Sequence, residues 1–349
     1  MGTVGNVTGG QTIRRGTGRS AQRRRRATRK RRIRRIWNLA LIVLGAAAAL
    51  ALALIIKGYS GGAPTAVVAP AASMDLRRGR VDASTYNTAW ISDGLVRVVG
   101  DNAKGQCDTL DWRDVALVSL GNEHTVGVTR DGALLCAGSN AQGQCGLNGL
   151  KDVAAADAGV CSTICVMRDG TIRMSGSIAG VNAPEFLQIG NIADVSVSPN
   201  NVVFLTRDGR AAAYGVNDHG QCGVGDWSKL VEVSTGGEYT LGLRVDGRVL
   251  ACGDAAQYGI DVSGWRDVIA LSAGSAYCVG LTRDGTVLAS GDNWCGQMNV
   301  ADWKKVQFIA AGYSHTAALT LDGLPLAVGY NDYGQCDVAR EIYQLGSYD

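Results

Sequence analysis

Two segments far apart in the chain follow the same pattern. Residues 121–144 read GNEHTVGVTRDGALLCAGSNAQGQ, and residues 312–335 read GYSHTAALTLDGLPLAVGYNDYGQ. In both segments, two short runs rich in apolar residues flank an Asp-Gly pair, which is typical of antiparallel strands joined by a hairpin turn. A Gly-Gln pair follows at the same distance in each. The pattern therefore predicts β structure.

The Asp-Gly pair occurs seven times, at intervals of 38 or 39 residues. The pairs begin at Asp93, Asp131, Asp169, Asp208, Asp246, Asp284 and Asp322. A unit of three or four short strands cannot bury both of its faces alone, so such units must stack on one another. We therefore predict an all-β fold, a seven-bladed β-propeller over residues 75–349, with an open solenoid as the alternative.

The second strand of each unit carries a small residue at one fixed position, as at Gly127, Gly242 and Gly280. We predict that this strand is the innermost, because large side chains do not fit where seven strands crowd the axis. Repeat phase places the first strand of the first blade near residues 77–82. The tail segment 341–345 offers an alternative source of that strand, and we expect the tail to close the ring. Recurrent tryptophans are predicted to act as core or inter-blade wedges at Trp112, Trp227, Trp265 and Trp303.

The N-terminal segment differs from the rest of the chain in charge and hydropathy. Fourteen of the 34 basic residues and none of the 31 acidic residues lie within residues 1–57. Residues 36–57 are almost entirely apolar and are long enough to cross a bilayer as one helix. We predict a basic disordered cytoplasmic tail over 1–35, a single transmembrane signal-anchor helix over 36–57 and a linker over 58–74. A cleaved signal peptide is the alternative.

The same charge distribution predicts the topology. Basic residues precede the apolar segment, and the positive-inside bias then leaves the N-terminus in the cytoplasm and the propeller outside the cell, at the plasma membrane. The arginine-rich run over 14–35 is expected to contact anionic lipid headgroups. Nucleic-acid binding is the alternative, but no aromatic residue is interleaved with the arginines, so we do not expect a nucleic-acid partner.

The repeated segments resemble the regulator of chromosome condensation repeat, whose pattern runs G-x-x-H-T-V-G-L-x-x-D-G-x-V-x-A-x-G-x-N-x-x-G-Q. The resemblance covers residues 80–345 and implies a β-propeller. The length of the unit is similar to that of compact bacterial members, which include a secreted β-lactamase inhibitory protein. The eukaryotic namesake is an exchange factor that acts on a small GTPase through an inserted β-wedge. No Asp-Gly interval here exceeds 39 residues, so we expect no such activity.

The sequence contains no arrangement typical of a catalytic site. His124 and His315 occupy a repeat position that Tyr239 and Tyr277 fill in other units, so we interpret both histidines as structural. No C-x-x-C pair is present, so no metal site is expected. One disulfide could form among the cysteines outside the Gly-Gln-Cys position, which are Cys136, Cys161, Cys165, Cys252, Cys278 and Cys295. We therefore expect neither enzyme activity nor a cofactor.

The loop before each Gly-Gln pair offers two positions that the repeat does not constrain. We expect these loops and the Gly-x-x turns on one face, and the Asp-Gly hairpins on the other. Candidate binding residues in these loops are His219, Tyr258, Trp294, Tyr333, Lys104 and Gln142. Because Trp and Tyr are frequent interface anchors, we predict binding of an extracytoplasmic protein or envelope component. Carbohydrate binding is the alternative, since exposed aromatic rings also stack on sugars.

Overall fold

The computed structural model describes residues 79–181 and 186–339, and these residues belong to one compact unit. They form seven three-stranded antiparallel sheets, each built from consecutive strands. The all-β fold and the seven repeat units predicted from the sequence are therefore confirmed. Each sheet is one blade, and the described residues also include a short 3-10 helix over Asp254–Ala256.

The strands occur in the same order in every blade. The first strands are β1 (Val81–Ala83), β4 (Val115–Leu120), β7 (Val153–Ala158), β10 (Ile192–Val197), β13 (Leu230–Thr235), β16 (Val268–Ala273) and β19 (Val306–Ala311). The second strands are β2 (Asn87–Ser92), β5 (His124–Thr129), β8 (Cys161–Met167), β11 (Asn201–Thr206), β14 (Tyr239–Arg244), β17 (Tyr277–Thr282) and β20 (His315–Thr320). The third strands are β3 (Leu95–Gly100), β6 (Leu134–Gly138), β9 (Ile172–Ser177), β12 (Ala211–Gly215), β15 (Val249–Gly253), β18 (Val287–Gly291) and β21 (Pro325–Gly329).

The Asp-Gly pairs form the hairpin turns between second and third strands, as predicted. In the turn between β17 and β18, Gly285 has a φ of 82°, and its amide donates to the carbonyl of Thr282 at 3.0 Å. A side chain would be strained at this φ, which explains the glycine. The carboxylate of Asp284 accepts a hydrogen bond of 2.6 Å from the Thr282 hydroxyl, and this bond is the main reason that the pKa of Asp284 is lowered.

The first strand of each blade, and not the second, is the innermost. First strands of neighbouring blades contact one another around the ring, and together they line a central cavity of about 170 Å³. Contacts between β1 and β19 close the ring. The first strand of the first blade is therefore β1, close to the position that the repeat phase indicates. The tail segment 341–345 lies outside the described residues.

The small residue on the second strand has a different cause from the predicted one. A Cβ atom added to Gly280 would lie 2.6 Å from Cζ3 of Trp265, and a Cβ atom on Gly242 would lie 2.7 Å from Cε3 of Trp227. These glycines therefore make room for the indole ring of the preceding loop, which packs against the blade. The tryptophans are wedges, as predicted, and they explain the missing side chains.

Hydrogen bonds between inner strands join successive blades. The Ser196 hydroxyl accepts from the amide of Thr235 at 3.1 Å, and the Ser234 hydroxyl accepts from the amide of Ala273 at 3.0 Å. Between the last blade and the first, the amide of Tyr313 donates to the carbonyl of Ser84 at 3.1 Å. Each blade thus satisfies polar groups of its neighbour, which favours a closed ring over separate units.

Within residues 79–181 and 186–339, no helix is both long and apolar enough to cross a bilayer. The predicted tail over 1–35, the signal anchor over 36–57 and the linker over 58–74 all lie outside the described residues.

Candidate binding face

Two kinds of loop lie together on one side of the propeller, as the sequence analysis predicted. In six of the seven blades the residue after the third strand donates its amide to the carbonyl of the residue before the second strand, as from Asp254 to Glu238 at 2.9 Å. In the second blade Ser139 donates to the carbonyl of Glu123 at 2.8 Å. We call this side the loop face. The Asp-Gly hairpins lie on the opposite side, the hairpin face.

The loops that precede each blade are held by their own side chains. Gln221 is buried, and its Oε1 accepts from the amide of His219 at 3.0 Å. The Oδ1 of Asn217 accepts from the amide of Cys222 at 2.8 Å. Equivalent bonds occur in other loops, for example from Tyr333 to Gln335 at 3.1 Å. In the five loops with the sequence Asn-x-x-Gly-Gln, these bonds fix the backbone, so the two residues after Asn present their side chains from a defined position.

The six predicted binding residues all lie on these loops, but their exposure differs. Trp294 is 92% exposed and Tyr333 is 47% exposed, while Lys104 and Gln142 are also exposed. Tyr258 is half-buried and packs against the apolar cluster of its blade. The last of the six, His219, is exposed, and its two ring nitrogens face two carboxylates.

Further aromatic residues accompany Trp294 and Tyr333. The ring of Tyr333 lies 4.8 Å from that of Tyr86 and 6.4 Å from that of Tyr330, measured between centroids. Tyr313, which precedes the last blade's second strand by two residues, is 59% exposed. We call these five residues the aromatic patch.

Three members of the aromatic patch, Tyr86, Tyr313 and Tyr330, were missed by sequence reasoning. They do not occupy the loop position that we inspected. Tyr86 directly precedes a second strand, and Tyr330 directly follows a third strand. The backbone bonds described above bring these two positions together in six of the seven blades. The aromatic residues were therefore visible in the sequence. That their positions lie close together can be recognised only when the order of the strands in a blade is known.

A polar cluster surrounds His219. The Nδ1 atom of His219 lies 2.5 Å from Oδ2 of Asp254, and its Nε2 atom lies 3.7 Å from Oε1 of Glu238. The hydroxyl of Tyr258 donates to Oε2 of Glu238, and this bond is the main reason that the pKa of Tyr258 is raised to about 12. We call these four residues the His219 cluster. Glu238 and Asp254 were not predicted as site residues.

The other two histidines are structural, as predicted. His124 and His315 are fully buried, and each hydrogen-bonds a threonine of the neighbouring blade. The distances are 3.0 Å from Nε2 of His124 to Oγ1 of Thr163 and 2.8 Å from Nε2 of His315 to Oγ1 of Thr88. Burial lowers the pKa of each imidazole to about 4. Both rings are therefore neutral links between blades at neutral pH.

The cysteines divide into one disulfide and eight thiols within the described residues. Cys136 is bonded to Cys145. The sequence analysis allowed a disulfide only among cysteines outside the Gly-Gln-Cys position, whereas Cys145 occupies that position. The two cysteines meet because β6 lies beside the loop that contains Cys145.

Burial raises the pKa of the Cys165 and Cys278 thiols to about 12, which keeps them protonated. Cys295, at a loop tip, is exposed.

The hairpin face carries arginines whose side chains contact neighbouring hairpins. Nη2 of Arg207 donates to the carbonyl of Arg168 at 2.8 Å. Arg244 pairs with Asp246 at 3.0 Å within one turn. The guanidinium groups of Arg207 and Arg244 are thus bonded within the hairpin face. Trp294 on the loop face, in contrast, exposes its side chain to solvent.

Comparisons with known proteins agree with the repeat structure. Residues 115–144, 268–297 and 306–335 each match the regulator of chromosome condensation (RCC1) repeat. A search of the curated proteins finds no match.

Solved structures with the same fold include the CRINKLY WD40 ectodomain of the receptor kinase ACR4 from Arabidopsis thaliana, at 16% identity and a TM-score of 0.60. That match covers 72% of this chain and 94% of the other. Prp20p from Saccharomyces cerevisiae matches at 14% identity and a TM-score of 0.52, over 62% of this chain and 72% of its own. The chain therefore contains three matches to the RCC1 repeat within a seven-bladed β-propeller, a fold that it shares with these structures.

Proposed function

We propose that this chain is a membrane-anchored, extracytoplasmic module that binds a protein partner through the loop face of its propeller. The observation that carries the proposal is the aromatic patch, in which Trp294 is almost fully exposed. Burial of an exposed indole ring against a partner would be favourable by about 25 cal/mol per Å² of apolar area removed from water. A rigid loop that presents such a ring is typical of an interface anchor.

The structure of the loop also favours recognition. The amide of Met298 donates to Oδ1 of Asn293 at 2.7 Å, and the amide of Cys295 donates to Oε1 of Gln297 at 2.8 Å. The backbone around Trp294 is therefore held before a partner arrives. Binding then costs less conformational entropy than it would for a mobile loop.

Charges on the same face indicate the chemistry of the partner. The loop face carries several acidic side chains, at Glu123, Glu238, Asp254 and Asp332. Among the predicted binding residues, Lys104 is the basic side chain that accompanies them. A partner with basic side chains around an apolar contact would complement this surface. Related folds bind proteins: Prp20p has binding properties to Gsp1p and histones, and a complex with Kap60 has been solved. This analogy supports a binding role and identifies no partner.

The proposed placement rests on the N-terminal sequence and on one disulfide. Residues 36–57 are apolar, and the basic residues of the 14–35 run precede them, as expected for an N-terminus in the cytoplasm that contacts anionic lipid headgroups. The Cys136–Cys145 bond supports an oxidising compartment for the propeller. The fold is also found in the ectodomain of a receptor kinase. We propose no catalytic activity.

Partner capture tests the binding proposal. Tagged full-length protein and a Trp294→Ala/Tyr333→Ala variant are cross-linked in cells, purified and analysed by mass spectrometry. Leu321→Ala is the matched control, because Leu321 is 63% exposed and lies in an Asp-Gly hairpin. We expect the double variant to lose a protein that the wild type and the control retain. Equal capture by all three would contradict the role of the patch, and retention of glycan alone would favour carbohydrate binding.

Labelling of Cys295 tests the placement separately. Intact cells are treated with a membrane-impermeant maleimide, and a Cys295→Ser variant shows which signal comes from this exposed thiol. We expect labelling of the wild type in intact cells. Labelling that requires lysis would place the propeller inside the cell and would leave the binding result unaffected.

A further inference from the structure

We propose that His219, Glu238 and Asp254 form a binding site for a divalent transition-metal ion such as Zn²⁺. The inference does not depend on the proposed function. The three residues come from three different parts of the chain around the fifth blade: the loop before β13, the turn between β13 and β14, and the residue after β15. One imidazole and two carboxylates are ligands that Zn²⁺ uses in proteins.

The backbone holds the three residues close together without a metal. The amide of His219 is bonded to Gln221, and the amide of Asp254 is bonded to the carbonyl of Glu238 at 2.9 Å. Before Asp254, Gly253 adopts a φ of 82°, which favours glycine and turns the chain toward the cluster. The side chains therefore extend from anchored positions into a shared space.

The ligand atoms are close enough to share an ion. One nitrogen of His219 and one oxygen of each carboxylate all lie within 4.8 Å of one another. Zn²⁺ binds nitrogen and oxygen at about 2.0–2.2 Å, so atoms around one ion are separated by less than twice that distance. Small side-chain rotations would complete the site. Three protein ligands would leave a coordination position for water or for a group of another molecule.

The surroundings orient the ligands in the manner of known metal sites. The Tyr258 hydroxyl donates to Oε2 of Glu238 and leaves Oε1 directed at His219. Hydrogen bonds of this kind to a ligating carboxylate fix its orientation and contribute to metal affinity. In the described part of the chain, the ion pairs of Glu238 and Asp254 are formed with His219 and with no lysine or arginine. A cation would therefore balance the charge of two carboxylates.

The repeat provides an internal comparison. The positions of His219, Glu238 and Asp254 are occupied in the second blade by residues that include one acid and one base: Lys104, Glu123 and Ser139. In that blade a lysine takes the place of the imidazole, and a hydroxyl takes the place of a carboxylate. Glu123 thus has the same backbone setting as Glu238 without the two other ligands. It is the matched control for a test of metal binding.

Calorimetric titration with ZnCl₂ tests the site. The full-length protein carries a tag without histidine, is stripped with a chelator and is compared with His219→Ala, Asp254→Asn and Glu123→Gln. We expect one Zn²⁺ per chain in the wild type and in Glu123→Gln. Affinity in the other two variants should fall by more than about 100-fold, because the loss of a direct ligand should cost more than the loss of an outer-shell hydrogen bond, which costs about 10–100-fold. Co²⁺ gives a second measurement through its visible absorption.

Thermal unfolding gives a readout that does not require tight binding. Zn²⁺ should raise the unfolding temperature of the wild type and of Glu123→Gln, because the ion binds the folded state. It should not raise that of Asp254→Asn, which retains the shape of the side chain. Absence of saturable binding in the wild type would overturn the proposal. Equal binding by all variants would also overturn it and would point to the thiols.

Discussion

Acidification should destabilise the propeller through two buried imidazoles, His124 and His315. The folded state holds both rings neutral, with a pKa of about 4, whereas in the unfolded chain the imidazoles have their ordinary pKa of about 6.5. Between these values the unfolded state binds more protons than the folded state. Stability is therefore complete above about pH 6.5 and falls as the pH is lowered toward about 4.

The magnitude follows from the two pKa values. Each imidazole costs the folded state about 2 kcal/mol near pH 5 and about 3 kcal/mol near pH 4. His124 lies in the second blade and His315 in the last, so their effects should add. The expected loss is about 4 kcal/mol near pH 5. For a domain of this size that loss lowers the unfolding temperature by about 10 °C.

The chain itself indicates the control variant. In the first and fourth blades the equivalent position is occupied by asparagine, at Asn87 and Asn201, and both side chains are buried. A His124→Asn/His315→Asn variant should therefore fold. It should be less stable than the wild type near neutral pH, because it has lost two rings from the interior. It should also lose much less stability on acidification, since neither position titrates.

Urea unfolding of the full-length protein, followed by tryptophan fluorescence, measures this difference at several pH values. The quantity to compare is the change in unfolding free energy between about pH 7.5 and about pH 5, in wild type and double variant. Carboxylates whose pKa is lowered, such as that of Asp284, change the unfolding free energy at pH values below this range. Their effect is the same in the wild type and in the double variant. Parallel loss of stability in the two proteins would refute the assignment to the histidines.

Three further changes test the packing. Gly280→Ala should lower the free energy of unfolding by about 1–3 kcal/mol, because the added Cβ atom would clash with the indole ring of Trp265. Gly264→Ala is the control and should leave stability unchanged, because open space surrounds Gly264. Thermal unfolding of the two variants measures the difference. Replacing Cys136 and Cys145 by serine should cost about 2–3 kcal/mol, as expected for a short disulfide loop, and should abolish the effect of reductant on unfolding temperature. Lys229→Asn should stabilise the chain by about 0.5–1 kcal/mol in urea unfolding, because Lys229 has a φ of 59°.

The repeat unit was predictable because its signals are local. Asp-Gly pairs mark hairpins, and the apolar runs on either side have the length of strands. The identity of the inner strand was not predictable from the same signals. A small residue such as Gly280 fits near a crowded axis and equally fits beneath a ring. What distinguishes the two is a correlation between positions: Gly127, Gly242 and Gly280 occur in units whose preceding loop carries Trp112, Trp227 or Trp265.

The candidate site was predictable in part for a related reason. The loop position before Gly-Gln indicated Trp294 and Tyr333, because the repeat leaves its side chain free. The same position also indicated Tyr258, whose ring is half-buried and 6.3 Å from that of Tyr239. Glu238 and Asp254 were missed, since their proximity to His219 depends on how a loop and two strand ends meet in space.

The loop face shows how a regular fold supports an irregular site. Exposed Asn and buried Gln side chains hold the backbone of five of the loops, as at Asn217 and Gln221, so the repeat does not constrain the two residues after Asn. The aromatic patch and the His219 cluster lie on the same face of the propeller. A partner bound across both would therefore contact aromatic and acidic groups together. If Zn²⁺ occupies the cluster, it would cancel the negative charge of Glu238 and Asp254. The surface would then lose part of its preference for a basic partner, so partner capture should change when Zn²⁺ is removed by a chelator in the wild type but not in Asp254→Asn.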